Sequence, residues 1–123
     1  MDIFSGVRES LTEILDIEAE EITPETYIAR DLNAESIDLL ELAVALNARF
    51  RIEVNEDQVF LRTLRLCINE AAGNGGDAAG RLSREFPFLG ADRIGEILAD
   101  VNGGPVLKMK DITSYVSWMI GNN

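Results

Sequence analysis

The sequence has no histidine. That absence removes the usual general base near neutral pH, together with every Ser/His or Cys/His pair, so chemistry at a serine of this chain needs a second protein. A single cysteine, Cys67, cannot close an internal disulfide, and no CxxC or histidine pair offers the ligand set of a structural zinc site, so no metal is expected. A reducing cytoplasm is the expected setting. Long apolar runs are also missing, and the opening MDIFSGVRES places an acid at position 2 where a basic leader would stand, so neither membrane insertion nor export is expected. Positive charge is scarce: 11 Lys and Arg against 22 Asp and Glu leave a net charge of −11. Such a field repels nucleic-acid phosphates and anionic lipid, and it speeds encounter with proteins that present a basic patch. The same charge also serves plain solubility.

What is present suits one small helical domain. A chain of 123 residues, 46% of them hydrophobic, can bury one core, and residues 1–123 are expected to form a single monomeric domain. Ile3, Val7, Leu11, Ile14 and Leu15 recur at helical spacing and predict an amphipathic helix over 2–16. From Ile17 to Arg30, Thr23 and Pro24 interrupt the pattern without strand-like alternation, which predicts a long structured loop. Ser36 to Phe50 has no breaker, is rich in Leu and Ala, and follows Asn33, a residue suited to capping a helix start.

On a helical projection of 36–50, Leu39, Leu42, Ala43, Leu46 and Phe50 share one broad side, the natural core face. Ile37, Val44 and Ala48 form a second apolar group, with a polar strip of Asp38, Glu41 and Arg49 between the two. Periodicity leaves open whether the second group packs inside the domain or is offered to a partner.

Farther on, Phe60, Leu64, Cys67, Ile68 and Ala71 predict a helix over 57–72, but Val59, Leu61 and Leu66 widen its stripe beyond one face, as if it were covered from two directions. Cys67 on that stripe reads as a small core residue. The glycine-rich stretch 73–80 reads as a connector; its GNGG lacks the Lys and Ser/Thr of a phosphate-cradling loop. A short turn at Leu82 and Phe86 ends at Pro87, a helix carries Ile94, Ile97, Leu98 and Val101, Gly103 to Pro105 stop it, and a last helix runs from about Asp111 to Ile120. No strand pattern competes, so the expected class is all-α.

Residues 31–42, DLNAESIDLLEL, resemble the D-L-G-x-D-S-L-D-x-x-E-L run that opens the second helix of acyl carrier proteins. The helix at 2–16 with ILDIEAEEITPET is similar to that family's first helix and long loop, ALNARFRIEVNED to the end of its second helix, and LKMKDITSYVSWMI to its closing helix. The resemblance implies a four-helix bundle with an extended third helix and one or two inserted helices, residues 58–106 being the inserted or extended segment. It implies that Ser36 receives 4′-phosphopantetheine from coenzyme A. It also implies a non-catalytic carrier that holds acyl groups as thioesters for partner enzymes: a phosphopantetheinyl transferase, and ligases (synthetases), ketosynthases or acyltransferases. Glu35, Ile37, Asp38, Glu41 and Val44 are the expected partner surface. Leu39, Leu42, Leu46, Phe60 and Leu64 are the expected acyl pocket.

Ser36 alone would be an ordinary helix-start serine; the matching Asp31, Leu32, Asp38, Glu41 and Leu42 around it carry the resemblance. Departures bear on partners. Glu35 stands where the family has Asp, Asn33 replaces its Gly and Ile37 its Leu, while Asn47, Ala48 and Arg49 fall where the family commonly has acids. Changed charge implies a docking partner different from that of a general fatty-acid carrier. The segment from Gln58 to Val106 is expected to fold onto the carrier core and help accommodate the acyl chain, serving a specialised lipid, cell-envelope lipid or polyketide route in preference to bulk fatty-acid synthesis. The alternative from another class is an acidic helical adaptor without a prosthetic group.

Overall fold

The computed structural model describes residues 2–121. Its helices are α1 (Ile3–Leu15), α2 (Ser36–Phe50), α3 (Glu56–Val59), α4 (Leu64–Gly73), α5 (Ala78–Glu85), α6 (Ala91–Asp100) and α7 (Met109–Gly121), with short 3-10 turns at Ala19–Glu21 and Val101–Gly103. Among the described residues there is no strand, only an isolated bridge between Tyr27 and Lys108. The all-α class expected from the sequence is the class observed.

α1 packs on α2 and α7 because the i, i+4 pair Val7 and Leu11 is wholly buried, as are Leu42 and Leu46 on α2 and Ile112, Tyr115 and Val116 on α7. Each such aliphatic side chain contributes about 1.5–3 kcal/mol on leaving water. The approach of α1 to α2 needs the glycine at position 6: a Cβ there would lie 2.7 Å from the Phe50 ring. Arg49 closes the same junction, its Nε donating to Ser10 Oγ at 3.2 Å and its Nη1 lying 3.5 Å from Glu9.

The helix expected over 57–72 is divided. α3 stops at Val59, and the chain turns through Leu61, which sits in the left-handed region at φ 55, before α4 begins. The reason is geometric. Val59, Phe60 and Leu61 would point in three directions 100° apart on one continuous helix, whereas the turn brings all three, and Leu64, under the surface. The stretch expected as a short turn at 82–86 belongs to a real helix, α5, whose start is capped by Asp77 accepting from the Gly80 amide at 3.0 Å.

α5 lies between α4 and α6. Leu82, Phe86, Ile94 and Ile97 from this region join the same apolar cluster as Val7, Leu42 and Ile112. The ring of Phe88 stands edge-on to Tyr115 at 5.1 Å and to Phe86 at 6.2 Å, seating the 86–89 loop on α7. The Tyr115 hydroxyl also accepts the Asn55 amide at 2.9 Å.

Polar contacts fasten the α6–α7 connection to the long first loop. Tyr27 donates to Asp100 at 2.6 Å, Arg30 pairs with Asp100 at 3.0 Å and donates to the Gly104 carbonyl, and the Ile28 amide donates to the Leu107 carbonyl at 3.0 Å. The bond from Tyr27, with that from Arg30, holds the Asp100 carboxyl below its ordinary range; the Tyr27 hydroxyl is raised in turn.

Candidate functional site

The loop before α2 is shaped by its own polar groups. Asp31 accepts the Tyr27 amide at 2.8 Å, and the Asn33 amide donates back to the Ala29 carbonyl at 3.0 Å, curling 27–33 into a compact turn. Asn33 then takes φ 56, a conformation that glycine adopts freely and asparagine tolerates better than other residues. Asn33 is therefore not the helix cap that its residue type suggests; it is the hinge that turns the chain into the cap.

Glu35 is the capping residue. Its amide donates to the Asp38 carboxylate at 2.8 Å, and its side chain faces the Asp38 amide in return, a reciprocal capping box set one residue ahead of the serine. Ser36 is thereby the first residue of α2 and is exposed. The first intrahelical bond runs from the Leu39 amide to the Glu35 carbonyl at 3.1 Å, so the amides of Ser36 and Ile37 stand at the open, positive end of the helix. An exposed hydroxyl beside unpaired amides and a favourable dipole is a suitable seat for a phosphodiester.

α2 then sorts the predicted residues by face. Leu42 and Leu46 are wholly buried and Leu39 half-buried. Ile37, Leu40 and Val44 keep 57%, 47% and 63% of their surface in water, which settles the side left open by periodicity: the second apolar group is outward. Glu35 and Glu41 are exposed beside them and Asp38 is half-buried. Phe60 and Leu64 line a cavity of about 170 Å³ with Leu61, Val106 and Leu107, so the predicted pocket residues divide between the closed core and this cavity.

Leu40 was legible but missed: Ser36, Leu40 and Val44 repeat at i, i+4, i+8 and share one stripe. Its companions could not be seen in one helix. Leu40, Val44 and Ala45 face Ile14, Glu13 and Ser10 of α1 across an apolar groove of about 470 Å³.

Residues 5–66 match the family described as phosphopantetheine attachment site, so the match ends inside α4, where the added helices begin. Similar curated proteins include the acyl carrier protein of Helicobacter hepaticus, 40% identical over 58 residues that make up 47% of this chain and 76% of that one. The acyl carrier protein of Helicobacter pylori strain J99 is 36% identical over 58 residues, 47% of this chain and 74% of the relative. That of Thermobifida fusca is 36% identical over 69 residues, 55% and 87% of the two chains. No solved structure matches.

Proposed function

This chain belongs to the acyl carrier protein family, and on that premise we propose that Ser36 carries its 4′-phosphopantetheine and that the outward face of α2 receives the enzymes it serves. The observation that supports this most directly is the exposed Ser36 hydroxyl at the first turn of α2, ahead of the amides of Ser36 and Ile37. Those amides and the helix dipole favour the negative charge of a phosphodiester there. The capping box contributes indirectly, since Asp38 is engaged by the Glu35 amide and keeps the first turn, and with it Ser36, in place. The group supplies a flexible arm ending in a thiol that holds acyl chains as thioesters. With no histidine, the chain has no neutral-pH base of the usual kind to activate Ser36, and the transferase supplies that step.

Partners are a phosphopantetheinyl transferase and acyl-handling enzymes such as ligases, ketosynthases or acyltransferases, drawn by Glu35, Asp38 and Glu41 and seated on Ile37 and Val44. The pathway is a specialised lipid, cell-envelope lipid or polyketide route; Asn47, Ala48 and Arg49 in place of acids support a partner other than that of a bulk fatty-acid carrier. Arg49 is already engaged with Glu9 and Ser10 of α1. The acyl chain enters beside Phe60 and Leu64, where the cavity already exists and Pro105 and Val106 of the added region form part of one wall.

The test is intact mass after incubation with coenzyme A and a broad-specificity phosphopantetheinyl transferase. The wild-type chain is expected to gain one phosphopantetheinyl group and Ser36→Ala none. A modified Ser36→Ala protein would move the site elsewhere, and an unmodified wild type would favour an adaptor without a prosthetic group.

A further inference from the structure

The cavity at the start of α4 has an apolar floor and a cationic mouth. Phe60, Leu64, Val106 and Leu107 form the floor and are buried, while Arg62 and Arg65, both exposed, stand at the rim. Its volume of about 170 Å³ suits a short alkyl tail. Two backbone hydrogen bonds tie its wall to the loop that carries the serine. The Leu107 carbonyl accepts the Ile28 amide at 3.0 Å, and the Ile28 carbonyl accepts the amide of Ala34, two residues ahead of Ser36, at 3.2 Å.

The two guanidiniums are only loosely engaged. Arg62 lies 3.5 Å from Glu56 in a pair whose side chains keep 42% and 37% of their surface in water, so the contact holds it weakly. Arg65 donates to the Gly104 carbonyl at 2.7 Å, and among the described residues no carboxylate pairs with it, although acids outnumber bases 22 to 11. Arg30 donates to the same carbonyl at 3.0 Å, so this wall stays fastened if Arg65 turns to another acceptor. A carboxylate is the acceptor that a guanidinium prefers to a neutral carbonyl, through shorter, stronger and often two-point bonds.

We propose that this cavity selects acyl groups bearing a carboxylate on the carbon next to the thioester carbonyl, with Arg62 and Arg65 recognising the carboxylate and Phe60 and Leu64 the alkyl tail. The proposal rests on the carrier reading, since the cargo arrives on the Ser36 arm. The tether fixes where the charge must lie. The arm and its thioester approach from solvent, so the atoms that remain at the rim beside the arginines are those nearest the thioester, and the tail is what fills the apolar floor. A plain acyl chain fills the same floor but leaves Arg65 without a carboxylate. A chain charged at its far end would carry that charge into the apolar interior, where it is costly.

The experiment loads isotope-labelled protein with hexanoyl or butylmalonyl cargo from the coenzyme A thioesters, using a broad-specificity transferase; the two cargoes share one chain length and differ by the carboxylate. Intact mass is read first. A wild type that takes neither arm overturns attachment and the proposal with it, whereas every later readout uses loaded protein and tests the arginines alone. Butylmalonyl is expected to shift the Nε–Hε resonances of Arg62 and Arg65 together with the amides of Phe60, Leu64 and Leu107, and hexanoyl to leave the arginine signals in place. In the double variant Arg62→Gln, Arg65→Gln, hydroxylamine should cleave the butylmalonyl thioester about threefold faster than in wild type and the hexanoyl thioester at an unchanged rate. Arg65→Lys, which keeps the positive charge, should retain more of the protection than Arg65→Gln. Both positions are exposed, and circular dichroism checks the fold of each variant. Cleavage rates that change equally for the two cargoes, a double variant that protects butylmalonyl as well as wild type does, or arginine resonances indifferent to the carboxylate would overturn the proposal.

Discussion

Arg93 of α6 and Asp111 of α7 form a two-point ion pair inside the protein, Nε to Oδ1 at 2.7 Å and Nη2 to Oδ2 at 2.8 Å, with the two residues 8% and 1% exposed. Arg93 also donates to the Val106 carbonyl at 2.8 Å, and Asp111 accepts the Lys108 amide at 2.9 Å, so the pair joins the added helices to the closing helix and caps the latter's first turn. Burial works against the Arg93 charge, but the bonds to Asp111 outweigh it and the guanidinium is held more firmly protonated than usual.

Asp111→Ala strands that guanidinium in the core and is expected to lower the unfolding free energy by about 3–5 kcal/mol, read from urea denaturation. Replacing both partners, Arg93→Met with Asp111→Leu, should cost less than Asp111→Ala alone, because no buried charge is left unpaired. A single variant within 1 kcal/mol of wild type, on that ~3–5 kcal/mol scale, would contradict the role given to the pair.

Asn33 offers a test of backbone conformation alone, since it is exposed and sits at φ 56. Asn33→Gly should change stability by only a few tenths of a kcal/mol, whereas Asn33→Val should cost about 1–2 kcal/mol. The same denaturation series decides it, and transferase rates at Ser36 should fall only in the Val variant, where the turn leading to the cap is disturbed.

Charge reversal on α2 separates docking from folding. Glu41 is exposed, so Glu41→Lys should slow transferase association at low salt, flatten its salt dependence and leave stability within about 0.5 kcal/mol. Asp38→Lys should slow association too, but it also removes half of the capping box and is expected to cost about 1 kcal/mol of stability. Unchanged low-salt rates for Glu41→Lys would remove the acidic face from the docking site.

Acid should loosen the clamp between the first loop and the α6–α7 region. Hydrogen bonds from Lys110 and then Lys108 lower the Glu25 carboxyl from an ordinary 4.5 to about 2, and Lys110 lowers Glu96 as well. A carboxyl depressed in the folded state adds stability that is complete above its unfolded pKa and is lost as pH falls through its folded one. The Glu25 contribution is therefore present above about 4.5 and gone near 2. Glu25 is largely exposed, so its effect is modest and shrinks with salt. Melting temperatures of wild type and Glu25→Gln should differ at pH 6 and converge toward pH 2.5; a gap that persists at low pH would rule this linkage out.

Much of the site could be read in one dimension because it is built from neighbours in sequence. The DLNAESIDLLEL run contains the hinge, the cap, Ser36 and the start of the acidic face, and helical periodicity alone assigns Leu42 and Leu46 inward and bounds α2. The family resemblance is most specific in this local stretch, which lies inside the match to residues 5–66. Local pattern was weaker where one residue type suits two jobs: asparagine both caps helices and tolerates positive φ, and only the backbone at Asn33 decided which.

Tertiary structure decided what depends on partners distant in the chain. The sequence determines that α2 has two apolar sides, but one is left in water because no element among the described residues covers Ile37, Leu40 and Val44, and α1 supplies the far wall of the groove. The pairing of Arg93 with Asp111, the break at Leu61 and the seating of Phe88 on Tyr115 likewise follow from packing among α3, α6, α7 and the loops between them. The physical reason is that propensity and periodicity act over one turn of helix. Burial is a property of what the rest of the chain brings alongside, and the same leucine is core or docking surface according to that neighbour.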